Sequence, residues 1–285
     1  MSRIAYVNGR YLPHRDAAVH IEDRGYQFAD GVYEVIAVKG GRFVDLDPHL
    51  DRLARSLDEL RIAPRMGRTA LVLAMEEVIR RNAVADGTIY VQMTRGVAPR
   101  DHAFPAAPRT QVVMTAKRGR PHPARYEAEG VKAITVPDIR WERCDIKSVA
   151  LLANVLAKQA AREAGAFEAI FVAPDGSVTE GSTTNAWIVT PDGELVTTPR
   201  SNAILSGITR RTVLELAGEL GLRPVERSFT VAEAKRAREM FVTSTTSFVM
   251  PVTQLDDAVV ANGRPGTLSR ALRQRYIAYM ASAER

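Results

Sequence analysis

Chemistry that needs a nucleophilic amine has few candidates in this chain, because only Lys39, Lys117, Lys132, Lys147, Lys158 and Lys235 are lysines among 39 basic residues. An amine attacks a carbonyl only when neutral, so its surroundings must disfavour a second positive charge. Lys39, Lys117, Lys132 and Lys235 read as solvated, and Lys158 lies inside a helical run beside Gln159. Lys147 differs. It stands in Trp141-Glu142-Arg143-Cys144-Asp145-Ile146-Lys147-Ser148, where the pattern predicts a helix from Ser148, and the positive end of a helix disfavours added positive charge. The same position also suits an ordinary surface lysine in a strand-to-helix turn.

Four other segments could hold a charged ligand. Val178-Thr179-Glu180-Gly181-Ser182-Thr183-Thr184-Asn185 sets one carboxylate among small hydroxyl and amide residues, which fits either a polar turn or a partner for a protonated nitrogen. Ile204-Leu205-Ser206-Gly207-Ile208-Thr209-Arg210 puts a glycine at a helix start, where backbone N–H groups bind anions. Phe241-Val242-Thr243-Ser244-Thr245-Thr246-Ser247 runs a strand into consecutive hydroxyl residues; this segment and the previous one also read as plain caps or turns. Between Thr94 and Pro105, Arg100 and His102 lie two apart in an extended loop and so point the same way. Together they could take a carboxylate, unless the loop is only a mobile arginine-rich one.

Around these segments the chain is 285 residues long, with 46% hydrophobic and 25% charged residues, the balance of a globular protein. Its net charge of +6 invites a polyanion partner. However, the arginines are spread from Arg3 to Arg285 among acidic residues, and no RNP-like aromatic and basic run occurs, so a nucleic-acid role is not expected. Neither a dinucleotide G-x-G-x-x-G nor a P-loop is present. Cys144 is the single cysteine, no Cys/His grouping has zinc spacing, and no run of roughly 20 apolar residues occurs. The expectation is a cytoplasmic protein that makes no use of a membrane or metal.

The elements follow from periodicity. Ile4–Val7 and Gly31–Val38 read as strands, stopped by the hairpin signals Asn8-Gly9 and Gly40-Gly41. Leu50, Leu53, Leu57 and Leu60 predict a helix from Asp47, and a second runs over 69–81. Strands are expected at 88–94, 110–116, 131–136, 169–172, 185–189 and 240–243, and helices at 148–164, 209–220, 231–238 and 268–282. The 148–164 helix would turn Val149, Leu152, Val155 and Leu156 inward. Gly119-Arg120-Pro121-His122-Pro123 has linker composition, giving an N-terminal α/β domain over 1–118, a linker over 119–124 and a larger C-terminal domain over 125–285 that would hold Lys147. The fold class is α+β or mixed α/β in two domains.

Taken together, the segments resemble the class IV aminotransferases, the fold type IV pyridoxal 5'-phosphate enzymes of the D-amino-acid and branched-chain type. The likeness runs from about Ala5 to Arg275 and includes the N-terminal signature Glu22-Asp23-Arg24-Gly25-Tyr26-Gln27-Phe28-Ala29-Asp30-Gly31-Val32-Tyr33-Glu34. The resemblance implies that Lys147 forms the Schiff base and shuttles a proton, and that Glu180 pairs with the pyridine nitrogen. It further implies that Arg52, Ile208, Thr209, Ser244 and Thr245 hold the phosphate. Tyr33, Arg100 and His102 would take the substrate carboxylate, with Val35, Ser182, Thr183, Thr184 and Thr246 as substrate-side residues. Because the loop carrying Arg100 and His102 serves the neighbouring subunit in this family, a homodimer is implied.

The Arg100-x-His102 loop is most similar to that of D-amino acid aminotransferases, which implies D-alanine, D-glutamate or D-aspartate as donor and 2-oxoglutarate or pyruvate as acceptor. A branched-chain L-aminotransferase, an (R)-amine transaminase and an aminodeoxychorismate lyase share the cofactor site and stand as alternatives. A family member that keeps the fold but has lost catalysis is disfavoured by the presence of both Lys147 and Glu180. His49 reads either as a group behind the cofactor or as a partly exposed helix-start residue, and Cys144 as a small packing residue.

Overall fold

The computed structural model describes residues 3–282. By internal contacts it divides into two units, the first made of 3–120, 146–150 and 281–282, the second of 121–145 and 151–280.

The first unit contains β1 (Ile4–Val7), β2 (Arg10–Pro13), α1 (Arg24–Phe28), β3 (Gly31–Lys39), β4 (Arg42–Phe43), α2 (Leu46–Glu59), α3 (Arg68–Asn82), β5 (Gly87–Thr94) and β6 (Gln111–Arg118). Its six strands form an antiparallel sheet in the order β2-β1-β6-β5-β3-β4. The β1–β2 hairpin closes through Asn8 and Gly9, both at positive φ, as a two-residue turn requires. Because strand side chains alternate, Val32, Ile36, Val91, Met93 and Met114 all fall on one face. There they meet Leu50, Leu53 and Leu57 of α2 and Met75 and Val78 of α3 in one buried core. Tyr33 and Val35 alternate onto the opposite face, in register with Gln92 and Tyr90.

The second unit contains α4 (Ala124–Glu129), β7 (Val131–Pro137), α5 (Leu152–Glu163), β8 (Glu168–Val172), β9 (Val178–Gly181), β10 (Asn185–Val189), β11 (Leu195–Thr197) and α6 (Ile208–Glu219). It continues with β12 (Val225–Glu226), α7 (Val231–Arg236), β13 (Glu239–Ser244), β14 (Phe248–Leu255), β15 (Ala258–Val259) and α8 (Thr267–Ser282). Its nine-stranded mixed sheet runs β12-β11-β10-β13-β14-β7-β8-β9, with β15 beside β14. Trp187 stacks on Phe241 at 5.5 Å and donates its indole N–H to Thr243 Oγ1, so even the largest core ring has its polar atom paired.

Three expectations need correction. The helix near Lys147 begins at Leu152 instead of Ser148, because the preceding backbone is committed elsewhere. Tyr33 N–H donates to Lys147 O, Val149 N–H donates to Gly31 O, and Val32 bridges Ser148, so 146–150 is an extended strap on β3. This strap places Lys147 with the first unit, whereas composition alone assigned it to the C-terminal domain. The apolar side expected for that helix is also reversed: Leu152, Val155 and Leu156 are exposed, and Ala157 and Ala161 are the buried residues of α5. Other differences are small or are omissions: 178–181 is a strand, and β14 was not foreseen.

Candidate active site

In the first unit, the strap on β3 sets Lys147 over the Tyr33 side of the sheet. Its Nζ lies 4.3 Å from the centroid of the Tyr33 ring, which itself stacks on Tyr90 at 5.6 Å. The helix-dipole argument does not apply to this lysine, since α5 starts five residues later; the aromatic surface is its actual neighbour. Tyr90 donates its hydroxyl to Gln92 Oε1, and burial, followed by the nearby Tyr33 phenol, pushes the Tyr90 phenol up to about 12. Tyr90 therefore stays neutral at working pH. Val35 shares this face, paired in register with Tyr90. A cavity of about 320 Å³ in this unit is lined by Asp23, Gly25, Tyr26, Gln92, Thr94 and Val149 among others, and neither Lys147 nor Tyr33 lines it. A larger apolar cavity of about 520 Å³ lies against Leu50, Leu53, Leu57 and Met93, and none of the candidate catalytic or ligand-binding residues lines it.

On the helix-facing side, Glu34 is fully buried among apolar residues and therefore needs compensation. His49 and Arg52, one turn apart on α2, provide it. Arg52 donates from Nε to Glu34 Oε1 and from Nη2 to Oε2, each at 2.8 Å, and His49 Nδ1 lies 2.8 Å from Oε2. Burial would raise the Glu34 carboxyl, but the Arg52 guanidinium and the His49 contact hold it at about 2. Burial lowers His49 despite the Glu34 contact, keeping the imidazole neutral. The partly exposed reading of His49 is thereby overturned: it is 2% exposed.

Arg100 and His102 converge on one ring, as their spacing implied. Arg100 lies 4.6 Å from the Phe28 centroid and His102 5.2 Å from it, and both are exposed. The loop that carries them springs from a narrow neck. Gly96, at φ +107°, passes so close to Arg109 that a Cβ would stand 2.0 Å from its carbonyl oxygen.

In the second unit, Glu180 on β9 is 6% exposed and well held. Arg140 Nη1 donates to Glu180 Oε1, Asn185 Nδ2 donates to Oε2 at 3.0 Å, and Leu205 N–H donates at 3.1 Å. Arg140 also binds Asp138 and the Ala203 carbonyl. Burial opposes its charge, yet Asp138 and Glu180 hold the guanidinium firmly protonated. Sequence reading missed Arg140, whose only local signal is its position two residues after Asp138. The start of α6 follows, where Gly207 precedes the buried Ile208 and Thr209; a Cβ on Gly207 would come within 2.1 Å of Asn185 Oδ1. Ser244 and Ser247 pair their hydroxyls at 2.7 Å across the turn holding Thr245 and Thr246, and Thr246 is exposed.

The hydroxyls of Ser182, Thr183 and Thr184 have a use that the sequence did not reveal. All three donate to the fully buried Glu168 carboxylate, Ser182 to Oε1 and the two threonines to Oε2 at 3.0 Å. Their side chains thus brace the segment after Glu180. Cys144 donates to the Trp141 carbonyl at 3.1 Å, and burial pushes its thiol up to about 11, so it is no thiolate nucleophile. Among the described residues, no His/Cys/Asp/Glu group could hold a metal and no helix is long and apolar enough to cross a membrane.

Comparison with known proteins shows the family. Residues 31–255 match the family model of the class IV amino-transferases. The chain is 44% identical to a D-alanine aminotransferase of Bacillus licheniformis over 92% of each chain. It is 40% identical to one of Staphylococcus epidermidis over 97% of this chain and 98% of the other. The structure resembles a branched-chain amino acid aminotransferase of Escherichia coli, with TM-score 0.90 and 25% identity over 98% of this chain and 94% of the other. A branched-chain enzyme of Thermobaculum terrenum in its PLP form gives TM-score 0.84 and 25% identity, over 99% and 95%. With a fold type IV architecture and a family match across most of its length, the chain belongs to the class IV aminotransferases.

Proposed function

We propose that this enzyme moves the amino group of a D-amino acid, D-alanine foremost and D-glutamate or D-aspartate by extension, to a 2-oxo acid such as 2-oxoglutarate or pyruvate. Pyridoxal 5'-phosphate is the cofactor. The observation that carries this reading is near-full-length likeness to D-alanine aminotransferases at 44% and 40% identity. The convergence of Arg100 and His102 on Phe28 supports it, since it presents a cation and an imidazole together for a carboxylate.

The residues present fit the cofactor. Glycine at 207 keeps the entrance of α6 clear of Asn185, and the backbone N–H groups of Ile208 and Thr209 suit a phosphate. By family likeness Ser244 and Thr245 would add hydroxyls, and Arg52, oriented by Glu34, would add a cation. Glu180 would accept the ring N–H, and its contacts to Arg140 and Asn185 fix the carboxylate in place. When bound, the cofactor supplies an electron sink for the electrons released as the substrate Cα–H bond breaks. Lys147 would hold the cofactor by its aldehyde group and, once released, its amine would move the proton taken from the substrate α-carbon. Tyr33 flanks it. The likeness to D-alanine aminotransferases implies that, with the carboxylate on the Arg100 and His102 side and Lys147 on one cofactor face, a D-configured Cα–H would be presented for removal.

The working form is a homodimer in which the Arg100/His102 loop serves the neighbouring subunit. The exposed strip Leu152, Val155 and Leu156 supports this, because three large apolar side chains on one helix face favour a covering partner. The test is a visible spectrum of the purified yellow enzyme. D-alanine should bleach the absorbance, 2-oxoglutarate should restore it, and L-alanine should leave it unchanged. The branched-chain structural likeness makes L-leucine the necessary control; turnover of L-leucine with none of D-alanine would overturn the proposal.

A further inference from the structure

Arg24 is 3% exposed and lies at the first position of α1, yet its side chain reaches residues more than seventy positions away. Nη1 donates to the carbonyls of Asp101 at 2.5 Å and Ala103 at 3.2 Å, and Nη2 donates to the His102 carbonyl at 3.3 Å. The guanidinium also lies 4.9 Å from the Phe28 ring, the same ring that Arg100 and His102 approach. Three successive carbonyls gathered on one cation fix the path of the loop backbone, on the segment that carries both proposed carboxylate ligands.

The cation is itself anchored. Asp30 Oδ2 accepts from Arg24 Nε at 2.8 Å and from Arg95 Nε at 2.7 Å. Arg95 in turn donates to the carbonyls of Leu60 and Arg61 and lies 3.6 Å from the Phe104 ring, later in the same loop. Backbone pairing completes the clamp: Arg24 N–H donates to Gly96 O and Ala98 N–H to Glu22 O. Only a guanidinium can do this, since its fixed fork of N–H groups serves the carboxylate and the carbonyls at once, which a lysine ammonium on a flexible stem cannot match.

We infer that Arg24 is a positioning residue for substrate-carboxylate recognition: by gripping the carbonyls of Asp101, His102 and Ala103 under the control of Asp30, it sets the geometry in which Arg100 and His102 meet the carboxylate. This rests on the proposed role of Arg100 and His102. It separates carboxylate binding from the rest of catalysis, because Arg24 acts only through the loop.

The experiment uses the holoenzyme with R24K, R24Q, R100A and the R24K/R100A double variant. Measured are KM and kcat for D-alanine and 2-oxoglutarate, the cofactor spectrum, and inhibition by propionate, which is D-alanine without its amine. R24K should raise both KM values and the propionate Ki together, by on the order of tenfold, while kcat and the cofactor spectrum stay close to wild type. In the R100A background the same substitution should add little, because the group it positions is gone. A fall in kcat at unchanged KM, or an equal increment with and without Arg100, would overturn the inference. So would loss of the bound cofactor in both R24K and R24Q, since Arg24 would then hold the fold as a whole. If R100A itself leaves KM and the propionate Ki unchanged, the carboxylate role of the loop fails instead, and the inference falls with it.

Discussion

Arg52 meets Glu34 through two parallel hydrogen bonds, Nε to Oε1 and Nη2 to Oε2, both 2.8 Å, on the apolar side of the first sheet. A fully buried carboxylate is tolerated there only because α2 delivers Arg52 and His49 to it. The pair therefore does two things: it stabilises the unit, and it fixes the direction of the arginine proposed to hold the phosphate.

Glu34→Gln should destabilise the enzyme by about 3–5 kcal/mol at pH 7, because it leaves a buried guanidinium without its counter-charge. The pH dependence follows from the directions of the shifts. Glu34 is held at about 2 against an ordinary 4.5, so its contribution is complete above 4.5 and is lost as pH falls toward 2. His49 is lowered from 6.5, so below 6.5 the unfolded chain gains a proton that the folded one resists, and stability starts to fall there. Urea unfolding between pH 3 and 8 should show the wild type weakening in both windows. E34Q should lose the share of the slope below 4.5 that Glu34 contributes, the other depressed carboxylates such as Glu77 and Asp138 keeping theirs, and an unchanged slope in that variant would refute the assignment.

Glu180, Asn185 and Gly207 form a chain of contacts in which each limits the next. Asn185 Nδ2 donates to Glu180 Oε2, while its Oδ1 occupies the space that a Cβ on residue 207 would need. Gly207→Ala should push Asn185 off the carboxylate and weaken cofactor affinity by about tenfold, measured as the concentration that restores the visible spectrum to the apoenzyme. Glu180→Gln should bind cofactor but lose on the order of 100-fold in kcat, as expected when a charge that stabilises the developing electron distribution is removed. An E180Q enzyme with wild-type kcat would exclude Glu180 as the ring-nitrogen partner.

The parts of the fold that the sequence made legible are those whose signal is local. Leu50, Leu53 and Leu57 recur at helical spacing and do pack inward, and Asn8-Gly9 makes its hairpin. Misreadings arose where partners lie far apart in the chain. Periodicity starts a helix at Ser148, but its backbone is taken by Val32, and nothing in the residues around it encodes that pairing. The apolar residues of α5 were assigned inward by periodicity, which detects a stripe without saying whether the core or another molecule covers it. Lys147 and Glu180 stood out by chemistry, whereas Glu34, Arg140 and Glu168 did not, because each is explained by a partner across the fold. Arg24 could be read only as one letter of a signature until its grip on 101–103 was visible.

The neck of the substrate loop makes a prediction independent of any ligand contact. Gly96 combines φ +107° with the Arg109 carbonyl only 2.0 Å from where a Cβ would stand. Gly96→Ala should therefore cost about 1–3 kcal/mol and splay the neck, raising KM for D-alanine while leaving cofactor affinity unchanged. Thermal melts and steady-state kinetics separate the two effects. Loss of cofactor with normal KM would mean that the loop serves a different purpose.

The subunit arrangement can be tested without knowing the interface in detail. If the Arg100/His102 loop acts in the neighbouring active site, then an R100A subunit keeps its own Lys147 and lacks only a neighbour's arginine. A K147A subunit is inactive on its own yet still carries an intact loop. Mixing the two under exchange conditions should rebuild one competent site per heterodimer, reaching about a quarter of wild-type activity for random pairing. Leu156→Asp, on the exposed strip of α5, should prevent this rescue: its side chain is 55% exposed in the isolated chain, so the fold should survive while the covering contact is lost. Sedimentation should then show a smaller species with cofactor bound and little turnover. Absence of complementation in the R100A and K147A mixture, with subunit exchange demonstrated, would place the loop in its own subunit's site.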